Sequence, residues 1–158
     1  GADSTLLFAI RVRDLEVRGN RFLNYPQGAY LSGENLVVAG NTFERLNQGV
    51  GHFAAPSDGS LNIVGARDLR TDGTFTESRG VTVSCNTFTA PASTGVVSLS
   101  SVLLDRGVSD VTLSNNTVQG SRYDCAVRVE PGDAGVTDAG ILESETTRVP
   151  ATIAARCP

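Results

Sequence analysis

The stretch Val17-Arg18-Gly19-Asn20-Arg21-Phe22 returns 21 residues later as Val38-Ala39-Gly40-Asn41-Thr42-Phe43. Widened by two residues, it becomes a phrase of the form apolar-x-apolar-x-x-Asn-x-apolar. Its copies are Leu15, Val17, Asn20, Phe22; then Leu36, Val38, Asn41, Phe43; then Val81, Val83, Asn86, Phe88; then Val111, Leu113, Asn116, Val118. A decayed copy, Leu61-Asn62-Ile63-Val64-Gly65-Ala66, sets Ala66 where asparagine is expected. The intervals between the five anchor positions are 21, 25, 20 and 30, which implies a common unit with inserted loops of different length.

Each phrase describes a strand followed by a sharp bend. Alternate apolar residues point to one side and the residues between them to the other. The position before the anchor holds Gly19, Gly40, Gly65, Cys85 or Asn115. Glycine and asparagine tolerate positive φ, so a tight turn is expected there. Asn20, Asn41, Asn86 and Asn116 are then expected to stack as a ladder, each side-chain amide bonding to the next.

A second strand follows each asparagine. It reads Gly28-Ala29-Tyr30-Leu31, Val50-Gly51-His52-Phe53, Val96-Val97-Ser98-Leu99 and Ala126-Val127-Arg128-Val129. Two strands per unit, with no helix between them, predict an all-β fold: a right-handed parallel β-helix, or solenoid, of about seven coils. A leucine-rich repeat also satisfies the consensus Val12-x-x-Leu15-x-Val17-x-x-Asn20-x-Phe22, but the remainder of each unit is strand-like rather than helical. Residues 1–130 are assigned to the coils. Residues 131–158 form a C-terminal coil or capping segment of the same domain, since a solenoid end needs cover.

The phrases around Asn20, Asn41 and Asn86 resemble the repeats of right-handed parallel β-helix proteins of the pectin-lyase-like superfamily, over about residues 12 to 130. The resemblance implies a fold that hosts lyases, hydrolases, epimerases, tail spikes and inert structural modules, so it carries little about activity. It also implies a monomer or a homotrimer.

Composition fits this frame. The chain has 158 residues, 40% hydrophobic and 19% charged, with 17 glycines and a net charge of −4. That excludes a disordered chain and argues against a nucleic-acid surface. All 13 basic residues are arginine, and methionine is absent. The sequence therefore reads as a processed form or a piece of a longer protein. No run is long and apolar enough for a transmembrane helix, and Leu6-Leu7-Phe8-Ala9-Ile10 reads as a strand rather than a signal peptide.

Candidate chemistry is sparse. With Leu31, Phe53, Leu99 and Val129 inward, Tyr30, His52, Ser98 and Arg128 share one outer face, a candidate carbohydrate-binding stripe. The outer positions of the first strand are Glu16, Val37, Asn62, Thr82 and Thr112, which hold no carboxylate pair. No catalytic residue, cofactor or metal site is assigned. Arg11, Arg13, Arg18 and Arg21 cluster near the start, but Asp14 and Glu16 interrupt them. Of three cysteines, Cys125 and Cys157 are the expected pair if a disulfide forms; three free thiols is the other reading. The function expected is a non-catalytic module, structural or carbohydrate-binding, from a larger extracellular or phage-like protein. The alternative is a polysaccharide lyase or glycoside hydrolase acting on an acidic glycan. A polysaccharide partner is expected, without nucleic acid or membrane.

Overall fold

Where two strands per unit are expected, the described strands fall into three stacked rows. The computed structural model describes residues 5–23, 27–44, 59–67, 75–90, 99–104, 107–120, 123–129, 141–144, 146–149 and 152–156. The first unit comprises β1 (Thr5–Arg13), β2 (Glu16–Arg18) and β3 (Arg21–Leu23), and the second β4 (Gln27–Ala39) and β5 (Thr42–Glu44). The third holds β6 (Gly59–Ile63), a hairpin of β7 (Ala66–Arg67) and β8 (Phe75–Thr76), then β9 (Ser78–Ser84) and β10 (Thr87–Thr89). The fourth is β11 (Leu99–Leu104), β12 (Val108–Ser114) and β13 (Thr117–Gln119). The fifth is β14 (Tyr123–Val129), β15 (Ile141–Ser144) and β16 (Thr147–Val149), and β17 (Ala154–Arg156) follows.

The chain is all-β with parallel sheets, and no helix occurs among the described residues. Strand pairing defines three stacked rows. The first runs β1-β4-β6-β11-β14-β17, using the N-terminal half of β4. The second runs β2-β4-β9-β12-β15, using its C-terminal half. The third runs β3-β5-β10-β13-β16. Apart from the antiparallel β7–β8 hairpin, every pairing is parallel.

All three rows feed one core. Leu31, Leu61, Ile63 and Leu104 enter from the first row, Leu36, Val38, Val81 and Leu113 from the second, and Phe43 and Phe88 from the third, all fully buried. The phenylalanines stack along the axis: Phe22 on Phe43 at 4.7 Å between ring centres, Phe43 on Phe88 at 4.8 Å. These distances equal the strand spacing, so parallel register alone brings the rings into contact.

The asparagines lie at the turn between the second and third rows. Gly19, Gly40, Cys85 and Asn115 precede them with φ of 63°, 66°, 56° and 52°. Asn20, Asn41 and Asn86 each donate both backbone N–H and Nδ2 to the Oδ1 of the next asparagine, Asn41, Asn86 and Asn116, at 2.9–3.2 Å. Nδ2 of Asn41, Asn86 and Asn116 also donates to the carbonyl of Val17, Val38 and Val83, each at 2.8 Å.

Ala66 holds no rung. Asn41 bonds Asn86 directly, and β5 pairs directly with β10. Leu61-Asn62-Ile63 belongs instead to the first row, beside Ala29-Tyr30-Leu31. Gly65 is absent from the positive-φ residues, so the turn that defines a rung is missing there. Among the described residues the third row accordingly has five strands, against an expectation of about seven coils. Within the expected C-terminal coil or cap, β15 and β16 continue the second and third rows.

Candidate functional site

Of the expected stripe of Tyr30, His52, Ser98 and Arg128, the structure describes Tyr30 and Arg128. His52 and Ser98 lie outside the described residues. In register, Tyr30 stands beside Asn62, Asn62 beside Leu103, and Leu103 beside Arg128. Tyr30 and Arg128 therefore share a row but are three strand steps apart, about 14 Å. Asn62, between them, is buried, its amide exchanging hydrogen bonds with the backbone of Gly59. In the same row Leu99 pairs with Tyr123, and Val129 with Leu104. Among the described residues, Phe8 is an exposed aromatic, and its ring stacks on Tyr30 at 5.3 Å. Asn62 also leaves the outer positions of the second row, which include Glu16, Val37, Thr82 and Thr112.

A different feature brings charged groups together: the corner between the first and second rows. In β4 the corner is Gly33, with φ of 148°, where an added Cβ would lie 1.9 Å from the Val12 carbonyl oxygen. In β1 the same corner is a bulge. The register moves from Ala9↔Leu31 to Val12↔Gly33, so Ile10 and Arg11 oppose Ser32 alone. Arg11 sits there at φ of 55°. A non-glycine residue in this conformation costs energy and re-aims its side chain. In the third unit the corner is pinned by Ser78, whose buried hydroxyl accepts from Gly33 N–H at 2.9 Å and donates to the Val64 carbonyl.

These three devices surround a cleft of about 160 Å³ lined by Arg11, Val12, Arg13, Gly33, Glu34 and Glu77. Arg13, Glu34 and Arg79 are neighbours across β1, β4 and β9, so cation, anion and cation alternate up the stack. Glu34 takes Arg13 Nε at 3.4 Å and Arg79 at 3.1 Å. The two remaining arginines of the N-terminal cluster are occupied elsewhere. Arg18 binds Glu16 at 2.7 Å, which holds the Glu16 carboxyl below its ordinary range, and Arg21 binds Glu44. Both Arg11 and Glu77 are exposed at the cleft.

Sequence reasoning missed the cleft, though a signal existed. Asp14, Asn35, Gly80 and Asp110 all have positive φ, between 50° and 67°. They mark a second recurrent turn, one residue before each second-row strand's first inward apolar residue. Aligning on them would have placed Arg13, Glu34 and Arg79 side by side.

Among the described residues, no group of three or more histidine, cysteine, aspartate or glutamate side chains is placed to hold a metal ion. No helix among the described residues is long and apolar enough to cross a membrane. Cys125 is disulfide-bonded and Cys85 is a free, exposed thiol, whereas Cys157 lies outside the described residues. The chain matches no family model, no curated protein and no solved structure.

Proposed function

We propose that this chain is a right-handed parallel β-helix module of the pectin-lyase-like kind, non-catalytic, that binds an acidic polysaccharide at the corner cleft. One observation carries the binding role: the β1 bulge sets Arg11 and Arg13 around a single solvent-open cleft. A guanidinium recognises a sugar carboxylate through paired, charge-assisted hydrogen bonds. The parallel three-row stack and the asparagine ladder support the β-helix reading. The disulfide at Cys125 supports an extracellular or cell-surface location, as part of a larger assembly.

The test is a panel of polyuronates and neutral glycans, measured by calorimetry and assayed for new reducing or unsaturated ends. Polyuronate is expected to bind without turnover. Arg11→Ala should weaken it about tenfold, the loss of one charge-assisted contact. Equal binding of neutral glycans, or an unchanged affinity in Arg11→Ala, sinks the reading.

A second reading, a polysaccharide lyase or hydrolase, is favoured by the presence of Glu34 and Glu77 in the same cleft. Turnover that disappears in Glu77→Gln establishes it over the first.

The cysteines give a further expectation. A non-reducing digest should yield one linked peptide joining Cys125 to Cys157, with Cys85 alone alkylated in the native protein. A Cys125–Cys85 link would contradict this.

A further inference from the structure

We propose that the corner cleft reads an acidic glycan at every second sugar, with Arg13 and Arg79 as its two carboxylate contacts. This rests on the acidic-glycan reading of the cleft and extends that site by one position along the stack. Arg13, Glu34 and Arg79 stand side by side on β1, β4 and β9. Each oxygen of Glu34 is taken by one guanidinium, Oε2 by Arg13 Nε at 3.4 Å and Oε1 by Arg79 Nη2 at 3.1 Å. Two cations on one carboxylate leave the triad with a net positive charge. The side chains of Arg13 and Arg79 are 77% and 59% exposed and that of Glu34 29%, so a ligand meets the cations first. A guanidinium carries its donors in a fixed fork, and the contact to Glu34 leaves an edge of each for a sugar carboxylate. Glu34 is thus a positioning residue, which holds both forks in place before the ligand arrives.

Spacing selects the ligand. The cleft takes its lining from β1, from β4 and from Glu77 just before β9, so it follows the stack from strand to strand. Strands lie about 4.8 Å apart, close to the rise of one sugar in an extended β-1,4-linked chain. One sugar therefore falls on each strand. A carboxylate on the first sugar meets Arg13, and one on the third meets Arg79, two strand steps or about 9.6 Å away. The second sugar falls on Glu34, where a carboxylate gains nothing and a hydroxyl or amide N–H can donate. Beyond Arg79 the series reaches Ser109, which is half-buried and uncharged. The ligand class is a chain with carboxylates in line at the disaccharide interval, whether the sugar between them is charged or neutral.

Calorimetry with β-1,4-linked diglucuronate and triglucuronate tests this. The wild type should bind the trimer about tenfold more tightly than the dimer, the gain of one charge-assisted contact. In Arg79→Ala that step should disappear, with Tm unchanged because exposed ion pairs add little stability. Arg21→Ala removes the same charge elsewhere and should keep the step. Arg11→Ala should also keep it while weakening both lengths alike. A trisaccharide in which N-acetylglucosamine replaces the middle glucuronate should match triglucuronate to within about threefold. Equal binding of dimer and trimer by the wild type overturns the proposal and leaves the cleft a glycan site. A step that survives in Arg79→Ala does the same, as does a mixed trisaccharide no better than the dimer. Binding of neither length overturns the glycan reading and this proposal together.

Discussion

Phe43→Ala is expected to lose about 4 kcal/mol of folding stability, the largest effect of any single truncation in the third row. Phe43 is fully buried and its ring is covered on both faces, by Phe22 at 4.7 Å and Phe88 at 4.8 Å. Removing it takes away transfer energy and leaves a cavity that backbone pairing prevents from closing. The β3–β5–β10 register holds the flanking rings two strand spacings apart. Phe22 has only one stacked neighbour and a little exposure, so Phe22→Ala should cost roughly half as much. Phe43→Leu should cost less again, because much of the volume is kept. Urea unfolding of the three variants gives the order directly. A smaller loss for Phe43→Ala than for Phe22→Ala would mean that the column is not the continuous core it forms here.

The same column explains what could be read from the sequence. The second- and third-row strands carry punctuation: a positive-φ residue, an asparagine with both donor and acceptor, and an aromatic two residues on. No other residue places an amide within reach of a backbone N–H above and a carbonyl alongside, so Asn41 and Asn86 announce their own neighbours. First-row strands carry no such mark. Their alternation of apolar and polar residues is the same for any strand with one buried face. Leu61-Asn62-Ile63 was therefore open to assignment in either row. The 45 residues between Asn41 and Asn86 resemble two units, but they hold one unit, lengthened in part by the β7–β8 hairpin.

The cleft lay beyond the sequence for a different reason. Arg13, Glu34 and Arg79 are separated by 21 and 45 residues and become neighbours only when the second-row register is fixed. Asp14 looked like an interruption of an arginine cluster. In the stack it takes a hydrogen bond from Asn35 at 2.9 Å and turns away from the cleft residues beside it. Charge counted along the chain and charge counted along the stack thus give opposite impressions of the same segment.

Asn86→Ala is expected to cost about 3 kcal/mol, against less than about 1 kcal/mol for Asn20→Ala. The contrast follows from position in the ladder. Asn86 accepts from the backbone N–H and the Nδ2 of Asn41, and donates to the Val38 carbonyl and to Asn116 Oδ1. Truncation strips the Asn41 N–H of its acceptor and the Val38 carbonyl of this donor, both at a buried turn. Each buried group left without a partner costs roughly 1–3 kcal/mol. The Asn41 amide itself is spared, because it also donates to the carbonyls of Val17 and Ala39. Asn20 is exposed at the end of the ladder, and no described residue donates to its Oδ1, so water replaces what alanine removes. Hydrogen exchange adds a sharper test than the melting curve: the Asn41 backbone N–H should exchange far faster in Asn86→Ala, while the backbone N–H of residue 86 itself, still bonded to Asn116 Oδ1, should keep most of its protection. Equal acceleration at both would show the variant loosening the whole stack, and a stability loss no larger than that of Asn20→Ala would show that the buried rungs are not what holds the turns in line.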